Sequence, residues 1–251
     1  MDKDQLREKA ISRTRNELES SVDRDDLLAK AVKQHDELEN DIRNQVETLR
    51  DWYSIHFPEL ESELGNNDRF VHILQKYGVE RSEIEPFSEM AAKSTGSAIS
   101  ASDREMIESV VDSVSSMIEV RDGIEEYVRD NAAEEFENLS SLLGPLLASR
   151  LVSLAGGLEE LAKKPASTVQ MLGAEKALFR HLKGNGSSPK HGVLFEHRFV
   201  RDLPEDRRGK MARFLANKTV IAARVDQYGD DDKSEKLNSE IEDKYSDLSP
   251  D

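Results

Sequence analysis

Apolar residues recur at alternating three- and four-residue intervals in two separate stretches of the chain. Such heptad spacing is typical of helices that pack along one narrow seam. The first stretch supplies Leu28, Ala31, Leu38, Ile42, Leu49 and Trp52, with His35 and Gln45 as polar seam positions. The second supplies Ile107, Val110, Val114, Met117, Arg121, Ile124 and Val128. With a helical excursion over 59–97 between them, and Pro58 expected to end the first helix, the pattern predicts a long antiparallel coiled coil within a domain spanning 23–140.

Two seams on one helical pair also suggest pairing with a second copy. We predict a homodimer whose contact residues are Leu38, Ile42, Leu49, Val110, Val114 and Met117. Apolar positions left outside the seams, Val46, Val111 and Ile118, are expected to face that second copy. Arg121 occupies a seam position, where it is either a packing defect or a partner contact. A pattern Ser102-x-x-Glu105 predicts a capping box at the start of the second long helix.

The remaining segments complete an all-α prediction. Gly144-Pro145 opens a run of short apolar helices, so a compact helical domain is expected over 141–226. Residues 1–22 are polar and predict an N-terminal arm. Residues 227–251 are acidic without a periodic core and predict a disordered tail. Neither a signal peptide nor an apolar run of membrane-spanning length is visible, so we expect a cytoplasmic protein without a membrane partner.

Charge is distributed unevenly along the chain. The formal net charge of the 251 residues is −16. From Gly173 to Arg224, however, 12 Lys and Arg face only 5 Asp and Glu. A basic module within an acidic chain indicates a surface for a phosphate backbone. The acidity elsewhere is typical of a solvated surface adapted to salt, and we hypothesise a halophilic archaeal source.

The basic module opens with a predicted helix and a loop. Ala174, Ala177, Leu178 and Leu182 share one side of that helix, and Lys176, Arg180 and Lys183 share another. The loop GNGSSPKH fails as a nucleotide-binding P-loop because Pro189 and His191 stand where glycine and a hydroxyl residue are required. The chain has no cysteine, and the spacing of His181, His191 and His197 is poor for zinc. We therefore predict no catalytic residue, no metal and no cofactor.

The same module resembles a known family. GAEKALFRHLK from Gly173, HGVLFEH from His191 and RRGKMARFLANKTVIAARVD from Arg207 resemble the Nop domain of box C/D small RNA ribonucleoprotein core proteins. LAGGLEELAKKPAS from Leu154 and LRDWYSIHFPEL from Leu49 also fit, so the resemblance covers roughly 23–226. It implies a non-catalytic scaffold that binds a kink-turn RNA already held by a ribosomal-type kink-turn protein. It also implies recruitment of fibrillarin, which 2′-O-methylates ribosomal or transfer RNA.

The resemblance also implies a set of contact residues. Binding to RNA or protein partner is expected at Glu175, Lys176, Arg180, Lys183, Lys190, His191, Arg213 and Lys218. Members of the family usually carry a further domain ahead of the coiled coil, and that domain holds fibrillarin. Here only the arm 1–22 precedes the coiled coil, so we expect any fibrillarin contact to be held differently. The alternative hypothesis is a helical dimeric adaptor that binds acidic protein partners and has no RNA role.

Overall fold

Every regular element in the computed structural model is helical over the residues it describes, which are 24–184, 188–229 and 231–249. This confirms the all-α prediction. The helices are α1 (Arg24–Tyr53), α2 (Pro58–Glu63), α3 (Asn67–Tyr77), α4 (Ser88–Ala92), α5 (Ala101–Glu135), α6 (Glu137–Leu143), α7 (Pro145–Ala155), α8 (Leu158–Lys163), α9 (Ala166–Val169), α10 (Glu175–Leu182), α11 (Arg198–Arg201), α12 (Glu205–Tyr228) and α13 (Ser234–Leu248). Short 3-10 helices cover Arg81–Glu83, Glu85–Phe87 and Gly192–Glu196. No helix within these ranges is both long enough and apolar enough to cross a membrane. The predicted arm 1–22 lies outside the described residues.

The chain divides into two units. One, the helix-pair unit, spans 34–125. The other, the C-terminal unit, joins the first turns of α1 up to residue 33 to the described residues from 126 onward. The division therefore falls before the predicted boundary at 140, because the last turns of α5 pack within the C-terminal unit.

The helix-pair unit is built on two antiparallel stretches of α1 and α5. Glu39 pairs with Arg121 at 3.2 Å, while at the far end His56 and Arg104 both contact Glu80. The chain turns between the end of α1 and Pro58, and the segment that follows packs against α1 and α5 to complete the core. That core combines Ile42, Val46, Leu49, Tyr53 and Phe57 with Leu60, Leu64, Phe70, Val71, Leu74, Val79, Ile84, Ile107, Val111 and Val114.

The heptad of the helix-pair unit differs from the predicted seam at every second position. Ile42, Leu49, Ile107 and Val114 are buried as expected. Between them the core takes Val46 and Val111, each no more than 2% exposed, whereas Gln45 is exposed and Val110 and Met117 are half-buried. Since steps of three and four residues both stay on one helical face, the sequence pattern did not choose between them. The prediction that Val46 and Val111 face a second copy is wrong. The prediction of Ile42, Leu49 and Val114 as dimer contacts is wrong for the same reason, since each is at most 2% exposed within one chain.

Charge at the seam is compensated within the unit. The Arg121 guanidinium bonds to Asp68 at 2.8 Å and to Glu39 at 3.2 Å, and these hydrogen bonds raise its pKa. Arg121 is therefore an internal ion-pair centre that ties α3 to the helical pair. The capping box also shifts: Ser100 and Asp103 exchange hydrogen bonds at the start of α5, in place of the predicted Ser102 and Glu105.

The C-terminal unit is organised around α12. This helix buries a run of small and aliphatic residues, among them Ala212, Leu215, Ala216, Ala222 and Ala223, and it packs against α6, α8, α9 and α13. Small side chains let the neighbouring helices approach closely. Near its end, Asp226 accepts hydrogen bonds from the backbone N–H groups of Asn138 and Leu139 at 3.0 and 2.8 Å, which caps the first turn of α6.

The predicted disordered tail is wrong for the residues described. Helix α13 runs from Ser234 to Leu248, with Leu237 4% and Ile241 1% exposed. It packs on α12 and α6. A pair of buried aliphatic residues four positions apart anchors the helix, and such a short stripe in an acidic sequence is too weak to predict an ordered element.

Candidate nucleic-acid interface

The basic module forms an excursion, described over 173–184 and 188–192, that is closed at its base. The Val193 N–H donates to the Leu172 carbonyl at 2.8 Å, and Gln170 Nε2 donates to the Lys190 carbonyl at 2.6 Å. Gly192 has a φ of +49°, and a Cβ there would lie 2.3 Å from the Leu172 oxygen. Only glycine fits so close to another backbone. His191 and Gly192, which begin the motif HGVLFEH, thus lie at the base where the two ends of the excursion meet.

Helix α10 follows the first segment of this base and has no buried residue. Its cations Lys176, Arg180 and Lys183 are exposed, and none forms an ion pair with a described residue. Of the apolar residues that share one side of the predicted helix, Ala174, Ala177 and Leu178 are half-buried, whereas Leu182 is 74% exposed. Phe179 is 62% exposed, and the Lys183 ammonium lies 5.1 Å from the centroid of its ring. The helix therefore offers cations and apolar surface side by side.

Glu175 has a local task at the start of α10. Its carboxylate accepts a hydrogen bond from the Gly173 N–H at 2.8 Å. A carboxylate in the first turn also complements the helix dipole. This contact explains a glutamate among cations without a bound ligand.

A second basic group surrounds Phe195. The His191 ring stacks on Phe195 at 4.9 Å, and the Arg208 guanidinium lies 5.3 Å from the same ring centroid. Arg208 is held in place because its Nε donates to the Leu203 carbonyl at 2.7 Å. Burial, followed by the charges of Arg208 and Lys190, lowers the pKa of His191. The imidazole is thus neutral at pH 7, and the positive charge of this group comes from Lys190 and Arg208.

Lys190 connects this group to the exposed side of α12. The position that a Cβ of Gly209 would take is 3.5 Å from the Lys190 Cβ, and Arg213 follows one turn later on the same face. Arg213 is exposed. The interface formed by Lys190, His191, Arg208 and Arg213 lies beyond the base of the α10 excursion.

Lys218 lies apart from both groups. It is five residues from Arg213, about 140° around the helix. Its ammonium pairs with Glu240 of α13 and lies 5.0 Å from the Phe214 ring centroid. The structure thus brings together Lys176, Arg180 and Lys183 in one group, and Lys190, His191 and Arg213 in another. Arg208 was missed by sequence reasoning, since its place beside Phe195 depends on the fold of the loop.

His197 supports the interface from below. It caps α11, its Nδ1 accepting from the Phe199 N–H at 3.3 Å, and it is hydrogen-bonded to the Leu142 backbone. Burial lowers its pKa. A neutral His197 therefore fastens the end of HGVLFEH to α6.

An all-helical chain whose exposed Lys176, Arg180 and Lys183 have no ion-pair partner among the described residues has the features of a helical nucleic-acid-binding protein. The chain belongs to the Nop family: the family model described as "snoRNA binding domain, fibrillarin" matches residues 34–247. An uncharacterized NOP5 family protein of Methanocaldococcus jannaschii is 36% identical over 235 residues, covering 87% of this chain and 57% of the relative. Nucleolar protein 56 of Homo sapiens is 35% identical over 256 residues, covering 94% of this chain and 43% of the relative.

A solved structure is also similar. A chain in the crystal structure of a fibrillarin/Nop5p complex matches with a TM-score of 0.57 and 26% identity, covering 97% of this chain and 77% of that chain. The chain spans about half the length of the curated relatives it matches. The family match confirms the resemblance drawn from the motifs. The alternative of an adaptor without an RNA role finds no support in these similarities.

Proposed function

We propose that this protein is a non-catalytic scaffold of a box C/D ribonucleoprotein. It binds a kink-turn RNA together with a kink-turn-binding ribosomal-type protein and supports fibrillarin-dependent 2′-O-methylation of ribosomal or transfer RNA. The observation that carries the proposal is the excursion 173–192, where Lys176 and Arg180 lie on an exposed helix beside exposed Phe179. Family membership supports the same assignment.

The chemistry of α10 fits a composite surface better than bare RNA. Phosphates are met by Lys176, Arg180 and Lys183, whereas Phe179 and Leu182 require an apolar or aromatic partner to leave water. A kink-turn RNA with its bound protein offers both kinds of surface within one footprint. Glu175 and Lys218, both among the predicted contacts, already have intramolecular partners, so we assign the RNA contacts to the remaining cations and add Arg208.

Electrostatics favour the same two-component arrangement. The chain as a whole carries −16, so its long-range field repels RNA until salt screens it. Only the local basic groups attract phosphate. We therefore expect weak binding to bare RNA and strong binding once the kink-turn protein supplies a second contact area.

A charge-matched pair of variants tests the RNA surface. Lys176→Ala with Arg180→Ala removes two cations from α10, and Arg69→Ala with Lys93→Ala removes two exposed cations from the helix-pair unit. In a gel shift with box C/D RNA and the kink-turn protein, the α10 variant should lose the ternary complex and the control should keep it. Equal behaviour of the two variants would remove α10 from the RNA site.

Self-association is a second part of the proposal. On α5, an apolar stripe consists of Met106 and Val120, which are 55% and 54% exposed, and of Val110, Met117 and Ile124, which are half-buried; Met106 and Val110 directly precede the buried Ile107 and Val111. On α1, Trp52 likewise directly precedes the buried Tyr53, and Leu38 lies two heptads before Trp52. Because the two stretches are antiparallel, equal offsets place both stripes on one face of the pair. We propose that a second copy covers this face, with Leu38, Val110 and Met117 in the contact.

The proposal also includes a contact with fibrillarin and a salt-rich cytoplasm as the protein's environment. The fibrillarin contact is supported by the family description and by the similar fibrillarin/Nop5p complex.

The acid surplus of the remaining surface supports a halophilic archaeal source and a cytoplasmic location. Thermal unfolding in dilute buffer and in molar KCl checks this part: the salt-adapted protein gains stability with KCl, and equal stability in both contradicts it.

A further inference from the structure

The acidic helix α13 covers a surface on the C-terminal unit that is distinct from the α10 excursion. Three contacts hold the cover in place. The Glu240 carboxylate pairs with Lys218, the Tyr245 ring stacks on Phe199 at 4.5 Å and 26°, and the Leu248 carbonyl accepts from Arg207 Nη1 at 2.8 Å. Helix α13 thus places a carboxylate on Lys218, an aromatic ring on Phe199 and a carbonyl oxygen on Arg207.

The covered surface has the chemistry of a single-strand-binding surface. Phe199 is an aromatic platform, and the Arg198 guanidinium lies 4.5 Å from its ring centroid. Lys218 lies 5.0 Å from the Phe214 ring centroid. Aromatic platforms with neighbouring cations bind successive bases and phosphates of single strands without strong sequence preference.

The two halves of α13 are held in different ways. The first half is fixed by the buried Leu237 and Ile241 and by Asn238, whose Nδ2 donates to Ser141 Oγ at 3.0 Å. Beyond Ile241 the contacts are the Tyr245 ring stack and the hydrogen bond to Leu248. Ring and polar contacts at the surface are individually weak, so the second half can detach while the first stays anchored.

The charge of α13 makes it a competitor for nucleic acid. Its outward positions Glu235, Glu242, Asp243 and Asp247 are exposed, and the hydrogen bond to Lys218 lowers the pKa of Glu240. The helix therefore presents negative charge to the surface that it covers. A phosphate that approaches Lys218 must displace a carboxylate and meets further negative charge around it.

We propose that α13 is an intramolecular substitute for nucleic acid: it keeps a second surface, formed by Arg198, Phe199, Arg207 and Lys218, closed to single-stranded RNA. This surface lies outside the α10 interface and goes beyond the proposed scaffold function. Displacement of the second half of α13 frees Phe199 and Arg207, and exchange of the Glu240 carboxylate for a phosphate frees Lys218, so that the surface binds an unpaired strand.

The test weakens the cover without touching its anchor. The open variant is Glu240→Gln with Tyr245→Ala. The matched control, Glu242→Gln with Tyr228→Ala, removes one carboxylate and one tyrosine ring from exposed positions that do not contact the surface. The full chain is titrated against a labelled oligouridine of about twelve nucleotides, and binding is read by fluorescence anisotropy.

The open variant should bind the oligouridine roughly fivefold more tightly than the control, because one ion pair and one ring stack have been removed from the competitor. Adding Lys218→Gln should reverse the gain. An equal affinity of open variant and control, or a gain that survives Lys218→Gln, overturns the proposal. If loss of the Tyr245 ring unfolds the protein, Glu240→Gln against Glu242→Gln makes the same comparison.

A parallel gel shift with box C/D RNA and the kink-turn protein separates this inference from the scaffold function. The open variant should form that complex as the wild type does, since α10 and the Lys190 group are unchanged. Wild-type failure in this shift contradicts the scaffold function alone. Failure of the open variant only, with wild-type assembly intact, would mean that α13 is part of the composite interface and not its substitute.

Discussion

Helices α10 and α12 contain the same pair of a phenylalanine and a lysine, which is exposed in α10 and held by an intramolecular contact in α12. Each has a phenylalanine followed four residues later by a lysine, and the ammonium lies 5.1 Å from the Phe179 ring centroid in α10 and 5.0 Å from that of Phe214 in α12. Phe179 is 62% exposed and Lys183 is open to solvent, whereas Lys218 pairs with Glu240. The same sequence pattern is therefore an available contact in one helix and a satisfied intramolecular contact in the other.

The difference arises from what packs over each helix. Helix α10 stands on a base closed by Gly192 and receives no cover from the described residues. Helix α12 lies at the centre of its unit and is covered by α13. A cation's role in this protein thus depends on tertiary neighbours and not on its local sequence, and the following predictions test that conclusion.

The largest effect is expected from disrupting the closed base of the excursion. Gly192→Ala places a Cβ 2.3 Å from the Leu172 oxygen, at a positive φ that alanine disfavours, so the backbone must move. We expect a loss of about 2–4 kcal/mol in the free energy of unfolding and loss of ternary assembly. Chemical denaturation and the gel shift measure the two effects.

The control for that substitution is Gly65→Ala, where an added Cβ meets nothing within 4 Å. It should leave both stability and assembly close to wild type. A Gly192→Ala protein that is as stable as this control would show that the closed base is dispensable.

A smaller effect is expected at the exposed stripe of α5. Met106→Lys with Val120→Lys puts two charges on exposed positions of the face that we assign to a second copy. Light scattering should show a change from dimer to monomer, with helicity by circular dichroism unchanged because neither side chain belongs to the buried heptad. Glu108→Lys with Glu119→Lys serves as a control for added positive charge on the same helix. A wild-type monomer at tens of micromolar excludes the dimer.

The paired lysines give the most direct contrast between the two helices. Lys183→Ala should weaken the ternary complex and reduce its dependence on log salt by about one counterion, with stability unchanged. Lys218→Ala should leave assembly intact and slightly lower stability by removing the contact to α13. If the two substitutions have the same effects, the contrast between α10 and α12 fails.

The smallest effect is a dependence of stability on pH. Burial lowers the pKa of His197 below its usual value near 6.5, so the unfolded chain binds the proton more readily. Stability is therefore full above that usual value and declines as pH falls toward the lowered pKa. His197→Asn, which keeps a cap acceptor without titrating in this range, should flatten the decline. An unchanged pH profile would assign the dependence to His191, whose pKa is also lowered.

The sequence predicted the helices themselves better than it predicted the tertiary contacts between them. The long helices, the Gly144-Pro145 boundary and the basic excursion all follow from local patterns. The core positions Val46 and Val111 were missed because three- and four-residue steps share a face. Helix α13 was missed because Leu237 and Ile241 are too few to form a recognisable stripe. Lys218 was misplaced because its partner Glu240 lies 22 residues away, and no local pattern reports such a contact.

The central claim, that α10 meets a composite of RNA and protein, is tested most directly by comparing three ligands. The full chain is titrated against a kink-turn RNA bound to its kink-turn protein, the same RNA alone, and an unstructured RNA of equal length at equal salt. We predict strong binding to the RNA–protein complex and weak, equal binding to both bare RNAs. Equal affinity for all three would contradict the account and leave only non-specific attraction by the basic module.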